Sequence, residues 1–284
     1  MKLARPDTFH PRIALAGWSR HPSGDGDDAG LVAALRHRGL HAHWLPWDHP
    51  DIARAHLVIL RAARDYPGRL EEFLAWTNSV ANLLNAPSVV AWNADRRYLD
   101  DLASRGVPTV PRAIWRPGER IRLPRTGPIF ISPTVGDGAR RFSDPWLATA
   151  HLAERRHGDP SLVVQTAGPG AETVLIFLGG QPSHAFTTQD DALREGEPDA
   201  EIWETGAAAL DAAAAASGVG IGDLLYARAH LVGRQLLELR LVDPSLCWRR
   251  LDVAARDRGQ RRFALCVESA LERLGLGPFS HRRP

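Results

Sequence analysis

The feature that most constrains the fold is an alternation in the first third of the chain. Short apolar runs are separated by segments whose apolar residues recur near a 3.6-residue period. Ile13–Gly17 reads as a buried strand and Gly24-Asp25-Gly26-Asp27-Asp28 as a loop. Ala29–Arg38 then reads as an amphipathic helix stopped by Gly39. His41–Trp44, Leu57–Arg61 and Val89–Ala91 are further expected strands, with a helix over Leu70–Asn82. Strands separated by helices cannot pair as hairpins, so this part predicts a parallel, Rossmann-like sheet. No GxGxxG follows the first strand, which argues against a dinucleotide site there.

A helix is expected over Ala94–Arg105, ending at Gly106, and the two prolines of Val107–Pro111 suggest a hinge. From there the texture changes to short strands, Ile129–Ser132, Leu162–Gln165, Thr173–Leu178, Leu225–Val232 and Gln235–Val242. The last two, joined by Gly233-Arg234, predict a β-hairpin. Ala207–Ser217 and Phe263–Leu274 predict helices.

Charge separates some function classes. Arginine dominates the 35 basic residues, Lys2 being the only lysine, and 33 acids are interspersed with them. Without a basic face, a nucleic-acid groove is not expected. No apolar run reaches membrane-helix length, and the first residues do not resemble a secretory leader, so a cytoplasmic protein is expected. Cys247 and Cys266 stand in no metal or redox motif.

Ordered strings along nearly the whole chain resemble the ATP-grasp superfamily, in the branch of glutathione synthetases and D-cycloserine ligases. They are Trp47-Asp48, Leu60-Arg61, Asp65-Tyr66-Pro67, Trp92-Asn93-Ala94-Asp95, Gly106-Val107-Pro108, Gln165, Gly179-Gly180 with Ser183-His184-Ala185, Tyr226-Ala227-Arg228, Glu238-Leu239 and Asp243-Pro244-Ser245. The resemblance implies an α/β (α+β) chain with the ATP-grasp fold. An N-terminal Rossmann-like lobe (1–107) would precede an ATP-grasp domain of two α+β subdomains (108–168 and 169–284). It also implies ATP and Mg²⁺ as cofactors, with a carboxylate activated as an acyl phosphate and captured by an amine.

Transferred to this sequence, the family pattern gives Arg228, Glu238 and Arg240 as catalytic positions. Arg96, Ser132, Gln165, Glu172 and His184 stand at cofactor-binding positions, and Glu238 and His230 at metal positions. Arg61, Asp25 and Asp28 are the candidate substrate contacts, although acidic residues before a helix more often cap it. Several positions depart from the pattern: Arg96 and Ser132 replace the phosphate lysines, and His230 and Arg240 replace metal carboxylates. Imidazole suits zinc or copper better than Mg²⁺, and Arg240 would pair with Glu238. Two functions therefore stand against each other. One is an ATP-grasp scaffold without Mg²⁺-ATP ligase activity that binds a metabolite or a partner or runs an ATP-independent step. The other is a working carboxylate–amine ligase in which arginines take over phosphate charge. The partners expected are a small polar metabolite or amino acid and a second copy of the chain, rather than nucleic acid or membrane.

Overall fold

The computed structural model describes residues 10–190 and 192–277. The leader reading and Lys2 lie outside that range. The first region runs β1 (Arg12–Gly17), α1 (Leu31–His37), β2 (His41–Pro46), β3 (Leu57–Ala62), α2 (Leu70–Ser79), β4 (Leu83–Leu84), α3 (Pro87–Asn93) and α4 (Tyr98–Ser104). Its strands form a parallel sheet in the order β2-β1-β3-β4. One correction concerns Val89–Ala91, which is helical and not a strand. Its β-branched run looks strand-like, but Pro87 sits at the first turn, where its fixed φ starts a helix.

The second region contains β5 (Arg112–Trp115), β6 (Ile129–Pro133), β7 (Arg140–Phe142), α5 (Pro145–Ala153) and β8 (Leu162–Thr166), with sheet order β5-β8-β6-β7. The third contains β9 (Glu172–Leu178), β10 (Gln181–Gln189), β11 (Ala192–Glu195), α6 (Ala200–Ser217), β12 (Tyr226–Val232), β13 (Gln235–Arg240) and α7 (Val253–Arg273). Its antiparallel sheet is ordered β11-β10-β9-β12-β13, and β12 and β13 form the expected hairpin. The helix read from Phe263 begins ten residues earlier, because Asp252 caps it by accepting the Ala255 N–H at 2.7 Å.

The outer edge of β13 would leave backbone groups unpaired in a buried place, and side chains from elsewhere cover it. Asn93 accepts the Leu241 N–H (2.7 Å) and donates to the Leu239 carbonyl (2.9 Å), while the Tyr98 hydroxyl accepts the Leu239 N–H (3.0 Å). Gln165 donates to the Leu237 carbonyl at 2.9 Å. Val110 N–H donates to Leu236, whose own N–H donates to Pro108. The segment that reads as a hinge is thus bonded to this edge, with Val107 and Val110 buried. Asn93→Ala removes two of these buried bonds, and urea denaturation is expected to show a loss of about 2–4 kcal/mol.

Candidate functional site

On β12 and β13 the antiparallel register places His230 opposite Glu238 and Arg228 opposite Arg240. Directly opposed residues share a face, so these four side chains emerge on one side of the sheet. That side is approached by the loop after α3, which carries Arg96, and by the β6–β7 turn, which carries Asp137.

Arg96 and Glu238 define the centre. Arg96 Nη2 lies 2.5 Å from Glu238 Oε1, with both side chains almost fully buried. The same guanidinium donates through Nε to the Pro133 carbonyl at 3.0 Å, tying β6 to the pair. Arg240 stands 3.9 Å from Glu238, 2.7 Å from Asp137 and 3.7 Å from Asp243. Burial opposes the charge of Glu238, but Arg96, Arg240 and Arg228 outweigh it and hold the carboxyl at about 2. Burial pushes Asp243 the other way, to about 7, only partly offset by Arg240 and Arg61. The pairing expected between Arg240 and Glu238 is present, at 3.9 Å, but Arg96 is the nearer partner of Glu238 and Asp137 the nearer partner of Arg240.

A second group closes the rim. Glu172 accepts from His230 Nε2 at 3.2 Å and pairs with Arg141 of β7 at 2.5 Å. His230 also meets Phe130 edge-on, at 6.2 Å between centroids. Glu172 and His230, read as a cofactor and a metal position, are thus bound to each other. Burial works against the Glu172 charge, but His230 and Arg141 keep its pKa below the usual range.

The candidate substrate contacts are likewise engaged. Asp28 and Arg61 form a buried two-point pair, both N···O distances being 3.1 Å, and Arg61 stacks over Tyr226 at 4.9 Å. Burial opposes the Arg61 charge and Asp28 restores it, so the guanidinium stays cationic. Asp25 pairs with Arg64 at 2.7 Å. The helix-cap alternative is corrected too: the residue before α1 is Gly30, with no side-chain cap. Asp27 instead accepts from Ser245 Oγ (2.8 Å) and from the backbone N–H groups of Cys247 (3.1 Å) and Arg249 (3.0 Å). The acidic loop latches the first region to the third.

Ser132 is buried and its hydroxyl has no partner among the described residues. Gln165 spends its amide on β13. His184 lines a different cavity, away from Glu238. The roles of Asn93 and Tyr98 at the edge of β13 are not legible in the sequence, since their partners lie far along the chain.

Mg²⁺ asks for several oxygen ligands in near-octahedral geometry. The two metal positions offer one carboxylate, held by Arg96 and Arg240, and one imidazole, held by Glu172. Among the described residues no group of three or more His, Cys, Asp or Glu is placed to hold a metal. The cavity beside Glu238 measures about 10 Å³, space for a single water. The two metal positions thus present one carboxylate and one imidazole, rather than a set of oxygen ligands.

Comparison with known proteins gives a consistent set. The family described as the N-terminal domain of D-cycloserine synthetase DcsG matches residues 13–85. The cycloserine biosynthesis protein DcsG of Streptomyces lavendulae is 26% identical over 291 residues, covering 87% of this chain and 95% of that protein. The crystal structure of D-cycloserine synthetase DcsG superposes with a TM-score of 0.74 at 26% identity, covering 92% of this chain and 99% of that one. D-alanine–D-alanine ligase from Bacillus anthracis, solved with ATP, gives 0.66 at 15% identity, with 93% and 98% covered. The ATP-grasp ligase PsnB, solved with a minimal precursor, Mg and ADP, gives 0.59 at 16%, with 89% and 97% covered.

Proposed function

The chain belongs to the ATP-grasp superfamily, and from that premise we propose that it has given up Mg²⁺-ATP ligase chemistry and binds a small anionic metabolite without metal. The observation that carries this reading is the Arg96–Glu238 pair, which occupies the one carboxylate retained at a metal position. Breaking such a pair to admit Mg²⁺ would strand the buried Arg96 guanidinium, at a cost of about 3–5 kcal/mol.

The charge left over points to an anion. Arg61, Arg96 and Arg240 are buried, and Arg228 lies directly across from Arg240, a repulsive cross-strand pair. Against them stand Asp28, Glu238 and Asp137, with Asp243 only half ionised near neutral pH. Arg61 Nη1, Arg228 Nε and Ser132 Oγ are buried donors without partners among the described residues. A carboxylate or phosphate reaching Arg228 satisfies donors and offsets charge together.

Calorimetry with ATP, with and without Mg²⁺, tests the reading. The expected result is no metal-dependent isotherm below about 1 mM, the affinity corresponding to roughly 4 kcal/mol. A metal-requiring isotherm in that range would overturn it. A second reading, a rewired carboxylate–amine ligase, is favoured by one observation: Arg96, Arg228 and Arg240 converge on one face, and guanidinium groups can neutralise a transferring phosphoryl group. ADP release with Mg²⁺-ATP and candidate amino acids is the result that would select it.

A further inference from the structure

A second cavity, of about 180 Å³, opens between β10, β11 and the first half of α7, and it shares no lining residue with the cavity at Glu238. Its floor is His184. The Leu246 carbonyl can only accept, so the 2.8 Å contact is a donation from Nε2–H. Burial lowers the pKa of this imidazole, which favours the neutral ring; Nδ1 is then an acceptor, and the Ser183 hydroxyl donates to it at 3.0 Å. The ring leans on Trp248, at 5.2 Å between centroids. Trp248 in turn is admitted by Gly259 of α7, where a Cβ would lie 2.4 Å from the indole. Glycine, indole and imidazole thus form a packed base under the cavity.

The wall from α7 is one helical stripe: Ala255, Arg258, Gly259 and Arg262. Arg258 and Arg262 are four residues apart, the spacing at which like charges on a helix repel. Neither has an ion-pair partner among the described residues. Arg262 uses Nη1 on the Pro182 carbonyl (2.6 Å), which leaves Nε and Nη2, and the Arg258 side chain has no hydrogen-bond partner among the described residues. Glu195 of β11 borders the same cavity and pairs with neither, the gap between them being open. What sets Arg258 and Arg262 apart from other arginines without a carboxylate partner among the described residues, such as Arg256 and Arg261, is that both line the same cavity. Two adjacent unmatched guanidinium groups facing a cavity lack a counter-charge.

We propose that this cavity is a binding site for the oxyanion group of a small molecule, held by Arg258 and Arg262, with its apolar portion against Leu251 and Ala255. Glu195 adds a negative charge to the opposite wall, so a monocarboxylate is favoured over a phosphate dianion. The site is independent of the cleft between β12 and β6 and of whether that cleft handles nucleotide.

The test titrates sodium propionate and, separately, inorganic phosphate into the full chain in low-salt buffer, by calorimetry. The expected result is saturable binding of propionate, weaker binding of phosphate, and at least a tenfold loss for propionate in the Arg258→Gln/Arg262→Gln variant. Both positions are on the helix surface and glutamine is a good helix former, so the variant is expected to fold, which circular dichroism checks. Three outcomes overturn the site: no saturable binding of either anion, phosphate binding more tightly than propionate, or propionate binding unchanged in the variant. Unchanged binding would place the anion at Arg228 and leave the preceding reading intact.

Discussion

Changing Ser132 to Lys, His230 to Asp and Arg240 to Glu together will make the melting temperature of the protein rise on addition of Mg²⁺-ATP, whereas that of the parent will not respond to the metal. Each substitution reverses one departure from the ligase pattern. Arg240→Glu frees Glu238 of one guanidinium and places a carboxylate two residues along the same strand face. His230→Asp adds a third oxygen donor directly opposite Glu238. Ser132→Lys fills a buried, unpartnered hydroxyl position with the cation that a phosphate requires. Without metal the new carboxylates repel Asp137 and Asp243, so the apo variant will melt below the parent. A divalent ion that neutralises them stabilises by about 2.7 kcal/mol at a hundredfold excess over Kd. The double change His230→Asp/Arg240→Glu isolates the metal response should a lysine at 132 disturb packing. If neither variant gains a Mg²⁺-dependent shift, the assignment of these positions to the metal site is wrong.

The alternation of strands and helices was legible because each element signals its own period over a few residues. The parallel sheet, the late hairpin and the long helices follow from it. Val89–Ala91 misled because two valines outweigh, to the eye, a proline that starts a helix. The strand Gln181–Gln189 was hidden by Pro182 and by polar alternation without an apolar face. The candidate site was legible as a set of departures from a pattern, but not as a network. Nothing local announces that Arg96 reaches Glu238, 142 residues away, or that Asn93 covers the edge of β13. Such contacts arise only when three sheets are brought together. The same holds for Asp28, whose partner Arg61 sits on a neighbouring strand of the first sheet rather than across an open cleft.

Glu238→Gln is expected to destabilise the protein by about 3–5 kcal/mol at pH 7, because Arg96 and Arg240 lose the carboxylate that offsets their burial. The pH dependence separates this from a packing effect. Glu238 titrates at about 2 in the folded chain against an ordinary 4.5, so the folded state binds fewer protons across that window. Its contribution is complete above pH 4.5 and drains as pH falls toward 2, about 3 kcal/mol in all. Asp243 runs the other way: at about 7 folded against 3.8 ordinarily, it favours the folded state below pH 3.8 and loses that advantage as pH rises through 7. Asp243→Asn keeps the shape and tolerates the positive φ of 39° at this position, so it should raise stability most at pH 8, less at pH 5, and leave it little changed near pH 3. Urea titrations of the three proteins between pH 3 and 8 read both slopes. A loss under 1 kcal/mol for Glu238→Gln at pH 7, with an acid limb like the parent's, would mean that the carboxylate is not committed to the arginines and remains open to a metal.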